Sequence, residues 1–85
     1  MYVIIETRKQ KRTLKDDFTV VWTVPCHGFN SIKMAQDYLQ EGEIFRKLLL
    51  KSKQHWRMRE NSRNHVTFVN EHGSILMDYE IKSEE

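Results

Sequence analysis

The spacing of apolar residues changes twice along this 85-residue chain, and that change constrains the fold more than any other feature of the sequence. Before residue 25 and after residue 55, β-branched and aromatic residues occur in the period-two pattern of half-buried strands. Between residues 31 and 49 they recur every three to four positions, which predicts amphipathic helix. The sequence therefore predicts an α+β fold, in which a small antiparallel sheet of ββ-α-βββ order packs against helix.

The first strand pair is predicted to be a hairpin that projects from the domain. Residues 1–8 and 18–24 form the strands, with Trp22 and the neighbouring apolar residues on one face. Residues 9–17 are long for a hairpin loop, so we expect the strands to extend into a ribbon with a basic tip. Pro25 and Gly28 are expected to end the second strand.

The helical segment contains Gly42, and two interpretations of it are open. Asn30 or Ser31 is suited to cap its start. The apolar residues after Gly42 are rotated by about 100° from those before it on a continuous helix. Either the glycine breaks the helix, which we favour because glycine is a common helix stop, or one long helix leaves Ile44 and Leu48 exposed as a protein interface, which could also hold a homodimer.

Size and cysteine content limit the classes of function. One domain over residues 1–85 can form a core but has little room for an enclosed active site. Cys26 is the only cysteine, which excludes an internal disulfide and a four-cysteine zinc site. The chain has neither a signal-peptide pattern nor the roughly 20 apolar residues that span a bilayer. We expect a cytoplasmic protein that does not enter membranes.

Charge is unevenly distributed, although the net charge is only +2. Residues 8–15 contain five basic residues and no acidic one, and residues 46–63 contain seven basic residues and only Glu60 as an acid. Five of the acidic residues instead lie between Glu71 and the C-terminus. A nearly neutral chain of this kind can still present one strongly positive face.

Clustered cations away from acidic neighbours are typical of phosphate recognition, so the sequence predicts a non-enzymatic nucleic-acid-binding protein of low sequence specificity. RNA is favoured over DNA because no helix-turn-helix or zinc-finger pattern is present. Trp56 lies among cations, where it could stack on a base, although packing in the core is the more common role of a tryptophan. The predicted binding residues are Arg8, Lys9, Lys11, Arg12, Lys15, Lys51, Lys53, Trp56, Arg57, Arg59 and Arg63.

Residues that could support catalysis or metal binding are present but poorly arranged. Cys26 and His27 are adjacent in an extended segment, where they point to opposite sides and do not form a nucleophile–base pair. The four histidines and the cysteine have long, irregular spacings, unlike those of zinc sites. No glycine-rich phosphate loop occurs. The sequence therefore predicts no enzyme, no metal and no cofactor.

The alternative is a small protein-interaction factor, of the type found in viruses and mobile elements, that inhibits or redirects a nuclease or toxin. It depends on Ile44 and Leu48 being an exposed apolar pair. The two hypotheses are compatible, because a nucleic-acid-binding protein can also hold a protein partner.

Overall fold

The computed structural model describes residues 1–84, so Glu85, the last residue of the predicted domain, lies outside the described residues. The chain forms five strands and two helices, which confirms the α+β class. In chain order the elements are β1 (Tyr2–Gln10), β2 (Thr19–Phe29), α1 (Ile32–Gln40), α2 (Glu43–Ser52), β3 (Trp56–Asn61), β4 (His65–Asn70) and β5 (Ile75–Ser83).

The five strands form one antiparallel sheet in the order β2-β1-β5-β4-β3. The β1–β2 hairpin and the β3–β4–β5 meander are joined where β1 pairs with β5 from Tyr2–Ser83 to Gln10–Ile75. The β1–β2 hairpin does not project as expected, because β1 pairs with β5 along its whole length and only the loop of residues 11–18 extends past the strand ends. The two edge strands are β2, which precedes α1 in the chain, and β3, which follows α2.

Two helices take the place of the single helix in the predicted order, because the chain breaks at Gly42. The α1 helix begins after Ser31, whose Oγ accepts a hydrogen bond from the Met34 backbone N–H at 3.2 Å. Gly42 has φ of +82°, a left-handed conformation that glycine adopts without steric cost. This break lets α2 turn a different apolar face toward the sheet.

Ile44 and Leu48 are buried as a result, with exposures of 6% and 8%. They pack in the core that includes Ile4, Phe68 and Tyr79 on the face of the sheet covered by the helices. The prediction that Ile44 and Leu48 form an exposed protein interface is therefore wrong. It required a straight helix, and the left-handed glycine removes that geometry.

The β2 strand differs from expectation in length and in the direction of its side chains. It continues through Pro25 and Gly28 to Phe29, because β2 is an edge strand, where a missing N–H costs no ladder hydrogen bond. Its register shifts between Arg8 and Lys9, leaving Val21 without a partner in β1. Val20 pairs with Lys9 and Trp22 with Arg8, so Val20 and Trp22 lie on opposite faces of the sheet.

Neither described helix is both long and apolar enough to cross a bilayer.

Replacing Leu48 by alanine tests the packing of α2. We expect a loss of about 2–5 kcal/mol in unfolding free energy, because the substitution leaves a cavity in the core. Leu50→Ala is the matched control, since Leu50 lies two residues away and is 75% exposed, and it should change stability by less than about 0.5 kcal/mol. Urea unfolding followed by circular dichroism measures both, and equal losses would contradict the assigned helix face.

Candidate nucleic-acid interface

The sheet topology brings most of the basic residues to one end of the molecule. At this end β1 finishes, β3 starts, and the loop after α2 contacts the β4–β5 turn through a hydrogen bond from the Glu71 N–H to the His55 carbonyl at 3.0 Å. We call it the basic end. Its cations are Arg8, Lys9, Lys11, Arg12, Lys15, Lys51, Lys53 and Arg57.

Strand register places cations from both basic segments on the same face. Lys9 pairs with Leu76, Leu76 with Val69, and Val69 with Arg57. Residues paired across adjacent strands point to the same side, and three strand spacings amount to about 14 Å. Lys9 and Arg57 therefore flank a short row across the face that the helices do not cover.

Among residues 1–84, the eight cations make no ion pair within 4 Å. They also outnumber the three carboxylates in the loop and turn at this end, Asp16, Asp17 and Glu71. The acidic residues of β5 have other partners: Asp78 lies 2.9 Å from His65, and Glu80 lies 3.0 Å from Lys82. In the loop between β1 and β2, Asp16 accepts a hydrogen bond from the Thr13 backbone N–H. The positive charge of the basic end thus remains available to an anion.

Arg63 lies outside the basic end, and Arg59 lies at its border. Arg59 lies in the middle of β3, where the register shifts between Met58 and Glu60. Arg63 lies in the β3–β4 turn at the opposite end of the sheet, next to Gln36 and Gln40 of α1. The structure therefore separates Arg63 from the other predicted binding residues.

Trp56 packs in the core instead of lying exposed among the cations. It is 7% exposed, and its Nε1 donates a hydrogen bond of 2.6 Å to Ser52 Oγ. The exposed indole is Trp22. The sequence had predicted that Trp22 lies with the neighbouring apolar residues on one face of a regular strand. Pro25 was the available signal, because proline inside a strand indicates a sheet edge, where aromatic side chains remain accessible.

Trp22 is exposed but held in place by two contacts. Its Nε1 donates a hydrogen bond to Glu6 Oε1 at 3.0 Å. The Arg8 guanidinium carbon lies 5.1 Å from the centre of the indole ring, a cation–π distance. An accessible aromatic ring that is already fixed loses little entropy on binding.

Beside Trp22 lies a cavity of about 410 Å³ between α2 and the β1–β2 half of the sheet. We call it the α2 cavity. Three cations line it, with Glu6 as the one carboxylate among its lining residues, and Ser52 and Trp56 lie along its α2 side. The three cations are Arg8, Lys47 and Lys51.

The side of the cavity near α1 is aromatic. The His27 and Tyr38 rings stack with their centres 4.8 Å apart and their planes within 9°. Lys47 Nζ donates a hydrogen bond to the Tyr38 hydroxyl at 3.1 Å, and this contact raises the pKa of Lys47. His27 faces the cavity because the register shift between Ile4 and Ile5 leaves Cys26 unpaired in β2. The cavity therefore combines ring surfaces with fixed positive charge.

Cys26 and Tyr79 both line this cavity and both stay protonated near neutral pH. Cys26 as a residue is exposed, yet desolvation of its thiol, and then the Glu6 carboxylate, raises the thiol pKa. Burial, followed by the same carboxylate, strongly raises the pKa of the Tyr79 hydroxyl. Since the thiolate is the nucleophilic form, this environment does not activate Cys26.

Within residues 1–84, no three His, Cys, Asp or Glu side chains are grouped closely enough to hold a metal ion. No family model, curated protein or solved structure matches the chain.

The raised thiol pKa gives a prediction for alkylation by iodoacetamide. At pH 7 the folded protein should react at Cys26 several-fold more slowly than the same chain in denaturant, because each unit of pKa removes about 90% of the thiolate. The rate in the folded protein should still be rising at pH values where the rate in denaturant has levelled off. Mass spectrometry of timed aliquots measures both rates, and equal or faster reaction in the folded state would contradict the assigned environment.

Proposed function

We propose that this protein binds nucleic acid, with RNA favoured, through the basic end and without catalysing a reaction. The observation that carries this proposal is the convergence of two distant basic segments at one end of the sheet, with no ion pairs to their cations among residues 1–84. Unpaired lysines and arginines can exchange counterions for phosphates, which is the main source of low-specificity affinity.

The shape of the basic end also suits a strand of nucleic acid. The loop between β1 and β2 holds Lys11, Arg12 and Lys15 beside the β4–β5 turn, where the Lys11 backbone N–H donates a hydrogen bond to the Ser74 carbonyl at 3.0 Å and Lys11 Nζ lies 4.5 Å from the centre of the Phe18 ring. A phosphate backbone that runs from this loop toward Arg57 would pass Lys9 on the same face. The accessible Trp22 ring lies beside Arg8 on the other face of the sheet, where it suits an unstacked base of a single strand. RNA is favoured over DNA because the sequence carries no helix-turn-helix or zinc-finger pattern.

Reversing one charge at each end of the sheet tests this proposal. Arg57→Glu should weaken binding of a labelled single-stranded RNA and lower the slope of log K against log salt by about 0.7 or more. Arg63→Glu makes the same chemical change at the opposite end, and it should leave affinity nearly unaltered. Fluorescence anisotropy measures the affinity of both variants. The salt concentration is varied from about 50 to about 200 mM, a range over which phosphate contacts lose much of their affinity.

Circular dichroism of each variant shows whether the fold is retained. Binding that does not depend on salt, or equal losses from the two arginine substitutions, would end the proposal for the basic end. Parallel titrations with single-stranded DNA and with duplexes test the preference for RNA.

A second candidate function, protein binding, is favoured by the outer edge of β2. This strand has an exposed edge eleven residues long that carries Val20, Val21 and Val24, each more than 40% exposed. Pro25 and β-bulges protect an edge from strand addition, so only the valine-rich stretch of β2 before Pro25 is a template for a strand from another chain. The simplest partner is a second copy of this chain, and this edge takes the place of the buried Ile44–Leu48 pair as the candidate surface.

Sedimentation velocity over rising protein concentration tests association through β2. Wild-type protein should form a dimer, and Val20→Lys should abolish it by placing a charge on the pairing edge. Leu50→Lys is the control, because Leu50 is even more exposed than Val20 (75% against 60%) but lies on α2. A monomer at every concentration would remove a second copy as the partner, and equal loss with both variants would remove β2 as the contact surface.

A further inference from the structure

We propose that the α2 cavity binds a nucleobase together with its adjoining phosphate, and that guanine is the base it prefers. This inference rests on the proposed function, because Arg8 and Lys51 belong to both the basic end and the cavity. It adds a site at which a single base is enclosed and distinguished, whereas the basic end alone would bind phosphates without regard to sequence.

The dimensions and surfaces of the cavity fit a planar anionic ligand. Its volume of about 410 Å³ lies within the range of small-molecule sites, roughly 300–1,000 Å³. Trp22 and the stacked His27–Tyr38 pair offer ring surfaces at its wall. Stacking on an aromatic side chain supports any base, so these rings explain base binding but not a choice among bases.

The cations are positioned for a phosphate at the side of the ring. Lys47 and Lys51 are one helical turn apart on α2, so they lie on the same face of that helix. Arg8 reaches the cavity from β1. With three cations and a single carboxylate among the lining residues, the cavity favours an anion over a neutral nucleoside.

Glu6 supplies the basis for choosing a base. A carboxylate can accept about four hydrogen bonds; the Trp22 N–H uses one of these sites at 3.0 Å and the Tyr79 hydroxyl interacts with the same carboxylate, which leaves room for two further donors. Guanine presents a ring N–H beside an amino group, two adjacent donors that a carboxylate accepts together. Uracil presents one N–H between two carbonyl oxygens, which a carboxylate repels. Bases in single strands are read on this edge.

Titration calorimetry with guanosine monophosphate (GMP), uridine monophosphate (UMP), guanosine and inorganic phosphate tests the inference. We expect GMP to bind roughly tenfold more tightly than UMP, as for other two-bond base contacts. Guanosine should bind more weakly than GMP because it lacks the charge that Arg8, Lys47 and Lys51 recognise, and phosphate alone should bind more weakly still. GMP and UMP binding equally well would overturn the inference.

Two substitutions separate base choice from stacking. Glu6→Gln retains an oxygen for the Trp22 N–H, so it should abolish the preference for GMP over UMP while binding continues. Trp22→Ala should weaken both nucleotides. Lys33→Glu on the exposed side of α1 is the control, and thermal melting shows whether each variant folds. An unaltered GMP preference in Glu6→Gln would overturn the assignment of Glu6.

A short oligouridine and the same strand with one central guanine distinguish a base within RNA from a free nucleotide. A guanine preference in the strand without GMP binding identifies a base within RNA, and equal affinities for GMP and the guanine strand identify a free nucleotide. The two proposals fail in different ways. Salt-dependent RNA binding with no base preference overturns only the cavity, and GMP binding without RNA binding overturns only the basic end.

Discussion

The pairing of β1 with β5 is the interaction on which the rest of the structure depends. It joins the first described strand to the last along nine residue pairs and converts the β1–β2 hairpin and the β3–β4–β5 meander into one sheet. The same pairing aligns the end of β1 with the start of β3, through β5 and β4. Two basic segments more than thirty residues apart therefore meet at one end of the molecule, a consequence of topology and not of local sequence.

Features with a local physical cause could be predicted from the sequence. Alternation located the strands, and Gly42 marked the helix break because a left-handed backbone favours glycine. The burial of Ile44 and Leu48 follows from that break, yet the sequence alone left a straight helix as an alternative. The two register shifts in β2 leave no sequence signal, since an extra residue in one strand is defined only by its partner strand.

The candidate site was predicted in part for the same reason. Clustered cations are visible in the sequence, and eight of them do lie together. The sequence did not show that Trp22 is exposed and Trp56 is buried. This difference depends on which strand lies at the sheet edge and which indole lies beneath α2. The α2 cavity was also beyond prediction, since its residues come from both helices and four of the five strands and have no common spacing.

The position of β5 has a consequence for how the chain is made. This strand lies in the middle of the sheet, but it is synthesised after the six elements that surround it. Until it leaves the ribosome, β1 and β4 each lack a neighbour, and apolar side chains such as Ile4 and Phe68 have no complete core to enter. Contacts between distant parts of a chain also form slowly. The nascent protein therefore passes through a stage in which β1 and β4 each expose an unpaired edge, and edges of this kind favour aggregation.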